Sequence, residues 1–346
     1  MKIINKVILC VGFVAVMVGS YFIFFKTPHK TNSNLIPVRV GYNTESVTNA
    51  SIIIAYEKGY FQAHGLDPQM VPLKSGREVM LALAAGQVDL GIGSFTNFMT
   101  AMVKGVPIRI IAASASSPSF VLIRPNEGFN NLADFYGKNI LVNASGINDL
   151  FFRSVMNREN IDVQKINFVD IERAYQVIAL MDKRTVDAVV VSAQDTEKLL
   201  EAGAVVLPNW EEKGYDKEFL PRNSIVVNTE FLNQHEPETA AFLEALIDAH
   251  YLIHNTAPEA ARLLSNHIKE SSGGAVIRSP EEIVSQWDNK EVINMIWQDP
   301  SITMNLASKA KEIGAVDQEP TLQDIYDLRF MDKLVIAQKK IYGDQD

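Results

Sequence analysis

The stretch Ser75–Met99, SGREVMLALAAGQVDLGIGSFTNFM, reads as a helix, a buried strand and a loop that opens a second helix. Ser75 and Glu78 have the spacing of a capping box, in which a serine oxygen and a glutamate answer free N–H groups at a helix start. Val79, Leu81, Leu83 and Ala84 supply an apolar side, and Gly86 is a natural stop. Val88, Leu90 and Ile92 then form a short strand, with Asp89 at its mouth and Gly91 and Gly93 inside it. Glycine in a strand often marks a place where another group comes close to the backbone. Ser94 follows, and SFTNFMTAMVKG opens a new helix whose first N–H groups have no partner within it. By itself this is an ordinary turn between strand and helix in a parallel sheet, which needs no ligand.

Outward from that stretch the same alternation recurs. Val38–Asn43 is a strand, Ser51–His64 a helix and Leu66–Leu73 a strand near a sheet edge, given Pro68 and Pro72. Ile108–Ser114, Phe120–Arg124, NILVN at 139–143, INFVDI at 166–171 and VDAVVVS at 186–192 are further strands, as are AVVLP and SIVVN. Helices fall at about 146–159, 172–183 and 194–201. After Asn228 the chain is mostly helical, over 237–256, 258–269, 280–289, 301–313 and 321–342. Repeated β-α-β predicts α/β architecture, mostly parallel sheets with flanking helices and ligands at the strand C-termini. An approximate doubling sets Gly86-Gln87-Val88-Asp89-Leu90 beside Arg184-Thr185-Val186-Asp187-Ala188, as two similar lobes would.

Composition narrows the function. Apolar residues make up 47% and charged residues 21% of the 346, an ordinary globular balance. Residues 1–30 hold four lysines and no acid, so the other 28 basic residues face all 41 acids. Such a surface excludes nucleic acid as a partner, because phosphates need a basic face. The single cysteine, Cys10, allows neither an internal disulfide nor a cysteine-based metal site. Val7–Phe25 is an uncharged run flanked by Lys6 and Lys26. At about 1.5 Å per residue it spans roughly 28 Å, the thickness of a hydrocarbon core. It ends in Tyr-Phe-Ile-Phe-Phe, which offers no small-x-small cleavage site. The expectation is one N-terminal transmembrane helix with the positive end inside, a cleaved signal being the alternative. Thr27–Pro37 reads as a tether.

Several ordered pieces carry a family resemblance. They are VRVGY at 38–42, EKGYFQAHGLDPQMV at 57–71, ALAAGQVDLGIG at 82–93, KGVPIRIIAAS at 104–114, NLADFYGKNILVNASG at 131–146, VDAVVV at 186–191 and EAGAVVL at 201–207. In that order they resemble the solute-binding proteins of ABC importers of the nitrate, sulfonate, taurine and thiamine-precursor type, over about 38–340. The resemblance implies a two-lobed periplasmic binding protein fold of type II that captures a small organic or anionic solute by hinge closure. The cargo classes it implies are a sulfonate, nitrate or a pyrimidine-like heterocycle. Residues 1–30 would be the anchor or signal segment, 38–117 plus 222–346 lobe one, and 118–221 lobe two, with crossovers near Ser117 and Pro221. The cleft would be lined by Asn43, Thr44, Glu45, Ser94, Phe95, Thr96 and Ser116 from lobe one. Lobe two would contribute Ser145, Gly146, Ser192, Gln194 and Asp195. The implied partners are a small-molecule ligand, an ABC permease and, through residues 7–25, the membrane. The implied protein is a monomer on the periplasmic or extracytoplasmic face, with no cofactor. Glu45 and Asp195 in a cleft would disfavour nitrate or sulfonate and favour an amine or heterocycle, unless both simply cap helices.

Other chemistries have less behind them. An enzyme on the same fold, of the thiamine-pyrimidine-synthase kind, would need a cysteine-rich segment that this chain does not have. His250 and His254 stand four apart, as zinc ligands on a helix can, yet no H-E-x-x-H or third ligand accompanies them. Neither G-x-S-x-G nor a Walker motif occurs. A membrane-anchored ligand sensor would use the same lobes with a separate partner.

Overall fold

The computed structural model describes residues 34–44, 46–144, 146–170, 181, 183–218 and 220–343. The apolar run 7–25, Glu45, Ser145 and nearly all of the helix expected over 172–183 lie outside them. Among the described residues no helix is long and apolar enough to cross a membrane.

Among the described residues eleven strands occur: β1 (Ile36–Asn43), β2 (Leu66–Leu73), β3 (Leu90–Ser94), β4 (Ile108–Ser117), β5 (Ser119–Ile123), β6 (Asn139–Val142), β7 (Asn167–Asp170), β8 (Ala188–Ser192), β9 (Val205–Val206), β10 (Leu220–Asn228) and β11 (Ile293–Asn294). They form two sheets, a six-stranded one in the order β11-β4-β10-β3-β1-β2 and a five-stranded one in the order β7-β6-β8-β5-β9. The expectation of mostly parallel sheets is corrected. β1 with β3, and β6 with β7 and β8, run parallel. β10 is antiparallel to both β3 and β4, β11 to β4, and β5 to both β8 and β9. The reason is that β4 runs through Pro118 directly into the other sheet and β10 brings the chain back beside it. An outgoing and a returning strand that pair must be antiparallel, and local strand–helix alternation does not record that.

Ser75 Oγ accepts from Glu78 N at 3.2 Å and starts the helix Gly76–Ala84. The Glu78 carboxylate accepts from Lys74 N at 2.9 Å, one residue ahead of the cap. Val79, Ala82 and Leu83 form the buried face, while Leu81 points outward, 53% exposed. Gly86 ends the helix at φ +64°. The strand then begins at Leu90, two residues later than its apolar pattern indicates. Val88-Asp89 instead make a clip. Asp89 N donates to Arg39 O at 2.9 Å, and Arg39 N donates back to Asp89 Oδ2 at 2.8 Å. The second sheet repeats it. Asp187 N donates to Asn139 O, and Asn139 N donates back to Asp187 Oδ2, each at 2.8 Å. The sequence doubling is thus one device used twice, with Val88 and Val186 both fully buried ahead of it.

The glycines of β3 serve packing. A Cβ on Gly91 would lie 2.7 Å from Val79 Cγ1 and 3.0 Å from Leu83 Cδ1, so its absence lets the helix lie close on the strand. A Cβ on Gly93 would meet the Phe98 ring at 3.1 Å and Gly76 Cα at 3.3 Å.

Elsewhere two expected helices are broken. Gly59, at φ +70°, divides Ala50–Glu57 from Tyr60–Ala63. Leu322–Ile325 and Met331–Tyr342 are separated where Tyr326 bridges to Ile110 and Asp327 N donates to Ile110 O at 3.0 Å. Tertiary strand contact there replaces helical hydrogen bonds. One apolar core joins the first sheet to the helices Ala50–Glu57, Glu236–Asn255 and Ala257–Ser271. A second runs from Val79, Phe95 and Phe98 to Val121, Ile140, Phe152 and Trp210, and so touches both sheets.

Two outcomes follow for stability. Gly91→Ala should overpack the contact with Val79 and cost about 1–3 kcal/mol in urea unfolding; an unchanged midpoint would mean that this contact is slack. His250 is fully buried, and burial pushes its imidazole down to about 3. Because the folded state prefers the neutral ring, this stability is complete above about pH 6.5. It falls by about 1.4 kcal/mol per unit as the pH drops towards 3. His250→Phe should remove that slope relative to wild type between pH 6.5 and 4.5, and parallel slopes would contradict it.

Candidate functional site

Strand ends carry the polar groups, because that is where backbone and side chains leave the sheet. At the end of β1, the Asn43 carbonyl accepts from Asn49 Nδ2 at 2.6 Å, and Asn43 Nδ2 donates to Lys74 O at 3.4 Å. Ser46 Oγ and Thr48 Oγ1 are 2.6 Å apart. Asn223 on β10 donates to Thr48 Oγ1 at 2.6 Å and to Asn49 Oδ1 at 3.0 Å. Asn223 is also in register with Ser94 on β3 and Ala115 on β4. One connected rim of hydroxyls and amides therefore runs from β1 across β3 and β10.

Two helix starts meet at this rim. Ser94 precedes Phe95–Val103 without a side-chain cap, its Oγ lying 3.0 Å from Thr96 Oγ1. A Cβ on Gly76 would lie 3.1 Å from Ser94 N, so the start of Gly76–Ala84 abuts it. Such starts favour electron-rich groups.

The second sheet presents a matching edge. Ser119 and Ser192 are in register at the ends of β5 and β8. Ser119 Oγ donates to Asn148 Oδ1 at 2.8 Å, in the first turn of the helix Ile147–Arg158. Gly146 precedes that helix, and a Cβ there would lie 2.8 Å from Asn143 Oδ1. Asp195 stands before Thr196–Glu201 yet makes no side-chain cap. Burial pushes its carboxyl above the ordinary range, against the opposing pull of Arg222 and Arg278.

Arg222 joins the two edges. Its guanidinium donates to Asn148 Oδ1 at 2.7 Å, Ser117 O at 3.1 Å, and Pro118 O and Ser119 Oγ at 2.8 Å. It is 7% exposed, and burial lowers it to about 10, so it stays charged at neutral pH. Arg222 Nε and Gln194 Oε1 are buried and make no hydrogen bond, one donor and one acceptor left over in this region.

The residues expected to line a cleft separate into groups. Asn43, Thr44, Ser94, Gly146, Gln194 and Asp195 are half-buried at these edges. Thr96 and Ser192 are more deeply covered, at 5% and 7% exposed. Phe95 is fully buried in the core, and Ser116 is fully buried with its Oγ donating to Leu220 O at 2.9 Å. Glu45 and Ser145 lie outside the described residues. Ser46, Thr48, Asn49, Asn148, Arg222 and Asn223 were not anticipated. The signal for Arg222 was the single charge in the strand segment Leu220–Val227, beside the expected crossover.

A cavity of about 1170 Å³ lies elsewhere, walled by the end of Glu236–Asn255, by β11 and by the helices Pro280–Asp288, Pro300–Glu312 and Met331–Tyr342. None of the ten expected residues that are described lines it. Among the described residues no group of three or more His, Cys, Asp or Glu could hold a metal ion. His250 Nδ1 lies 2.7 Å from Tyr342 Oη, and the His254 ring packs edge-on against the same tyrosine.

Residues 47–261, more than half of the chain, match the family model described as NMT1/THI5 like. A Brucella abortus (strain 2308) protein named "Putative binding protein" is 30% identical over 150 residues, 43% of this chain and 46% of that protein. The chain thus spans about half the length of that curated relative. A Haemophilus influenzae protein named "Putative thiamine biosynthesis protein" is 23% identical over 275 residues, 77% of this chain and 79% of that protein. Among solved structures, the periplasmic aliphatic sulphonate binding protein SsuA from Escherichia coli superposes with a TM-score of 0.68 at 14% identity, covering 84% of this chain and 92% of that one. That likeness shows the fold, a periplasmic-binding-protein-like α/β fold with two sheets and flanking helices.

Arg222→Leu should cost about 3–5 kcal/mol, since it strips donors from two carbonyls and removes one of the two arginines that oppose the burial of Asp195. Adding Asp195→Asn should recover part of that loss. Urea unfolding of the single and double variants measures both, and strictly additive losses would mean that the two side chains are not coupled.

Proposed function

Because this chain belongs to the NMT1/THI5-like family, we propose that it is the extracytoplasmic solute-binding component of an ABC importer and that its output is binding, not chemistry. The solute would enter between the two polar edges and be held when they close. Lobe one would be 38–117 plus 222–346 and lobe two 118–221, with the hinge at Ser117–Ser119 and Pro221–Asn223. Residues 7–25 would hold the protein at the membrane, beside its permease.

One observation carries this reading. Arg222 hydrogen-bonds the outgoing crossover at Ser117, Pro118 and Ser119. Its neighbour Asn223 bonds the first rim at Thr48 and Asn49. Two adjacent residues thus tie the polar rim of one sheet to the crossover that leads into the other. A hinge needs that arrangement, because closing the edges must not unfold either sheet.

The rim also bears on cargo. It is built from asparagines, serines and threonines, and the terminal nitrogens of Arg222, its buried cation, are already engaged by Asn148, Ser119 and carbonyls. Asp195 is opposed by Arg222 and Arg278 and so adds little net charge. Paired amide donors and acceptors suit a heterocycle with the same edge. A pyrimidine-like solute is therefore favoured over sulfonate or nitrate.

Thermal unfolding of the full-length protein with an aminopyrimidine, an alkanesulfonate and nitrate tests this. A ligand at about 100 times its Kd should add about 2.7 kcal/mol. The aminopyrimidine should stabilise and be recovered unchanged, and Asn223→Ala should weaken it about tenfold or more. Stabilisation by the anions alone would reverse the cargo assignment. A compound recovered chemically altered would replace the binding reading with an enzymatic one.

A further inference from the structure

The cavity beside β11 is built differently from the rim. Its wall presents four aromatic rings, from His254, Trp287, Trp297 and Tyr342. Three amides complete it, Asn294, Gln298 and Gln338, and the first and last are each only 5% exposed. The charged residues around it balance, three lysines against three carboxylates.

Its polar groups are not all answered. Gln338 Oε1 accepts from Ile296 N at 2.9 Å and from Trp297 N at 3.3 Å, which fixes the amide but leaves Nε2 without a partner. Asn294 Oδ1 and Trp287 Nε1 are buried and unpartnered as well. Of the eight buried side-chain polar atoms without a hydrogen bond among the described residues, these three belong to this one wall. Native interiors rarely leave such groups unsatisfied, so a cluster of them asks for a partner. The terminal torsion of Asn294 is soft, so its amide can reorient.

We propose that this cavity is a second ligand site, for a neutral planar molecule that carries a hydrogen-bond donor and acceptor on one edge, such as an aromatic amide. Flat rings on the wall receive the flat face of the ligand, and the Asn294 and Gln338 amides receive its polar edge. Balanced charge argues against an ion, whose hydration would have to be replaced by one sign of charge. At about 1170 Å³ the space holds a molecule of drug size. The site stands apart from the importer reading, since it shares no residue with the rim.

It can be tested by tryptophan emission. The chain has three tryptophans, and Trp210 is 1% exposed with its Nε1 donating to Ser119 O at 2.9 Å, away from this wall. The other two line the cavity. Benzamide titrated into the full-length protein should change the emission saturably. Asn294→Leu and Trp297→Ala should each weaken that binding roughly tenfold or more. Asn223→Ala, at the rim, should titrate like wild type. Melting curves identify any wall variant that does not fold, and the other variant then decides. The proposal is overturned by an emission that does not saturate, which means that water alone fills the space. Wall variants that bind as wild type, or loss of the signal in Asn223→Ala, overturn it too.

Discussion

A buried guanidinium holds the two sheets of this protein to one another. Arg222 sits where the returning strand re-enters the six-stranded sheet, and it grips the backbone of the outgoing strand around Pro118. A charge so deeply covered is tolerable only when its donors are answered, and here two carbonyls, a serine and an asparagine answer the terminal nitrogens. Asp195 supplies a partial countercharge and is itself pushed up by burial. The antiparallel pairing of β4 and β10, the placing of Asn223 on the rim, and the meeting of the two polar edges all depend on this crossing.

Within each sheet a smaller device recurs. A buried valine followed by an aspartate ends the turn before a core strand, and the aspartate exchanges hydrogen bonds with the neighbouring parallel strand. The same clip at Asp89 and Asp187 sets register in both sheets, which explains why the two segments look alike without being close repeats. At Asp89 the clip is reinforced by Arg39, whose side chain also caps the Gly86 carbonyl at 2.8 Å. The glycines that follow Asp89 let a helix sit close on the sheet, which brings the start of that helix beside Ser94. Packing, not ligand approach, accounts for them, although the consequence is that two helix starts share one rim.

The polar rim and the aromatic cavity differ in construction. In the rim, donors and acceptors mostly bond one another, so a solute there exchanges partners with an existing network. In the cavity wall, donors and an acceptor are stranded beside flat rings. Ser116 lies between them, its backbone paired with Ile293 and its hydroxyl bonded to Leu220 O, and both of those residues line the cavity. It braces the crossover from within, which is why a serine at the end of a strand is fully buried.

The sequence by itself determined the α/β class, nearly every strand, the capped helix at Ser75 and the family resemblance. These rest on periodicity, on capping residues and on local order, all written within a few residues of one another. The resemblance implied that Asn43, Ser94 and Gln194 line a cleft, and in the structure they are half-buried beside strand ends. Only the tertiary structure decided that Phe95 is core, that Leu81 faces outward, that β10 runs against its neighbours, and that Asn49, Arg222 and Asn223 bind the edges together. Those outcomes depend on contacts such as Asn223 with Thr48, 175 residues apart in the chain. No local pattern encodes which distant group will answer a buried donor; that is settled only when the crossing strands bring the two together.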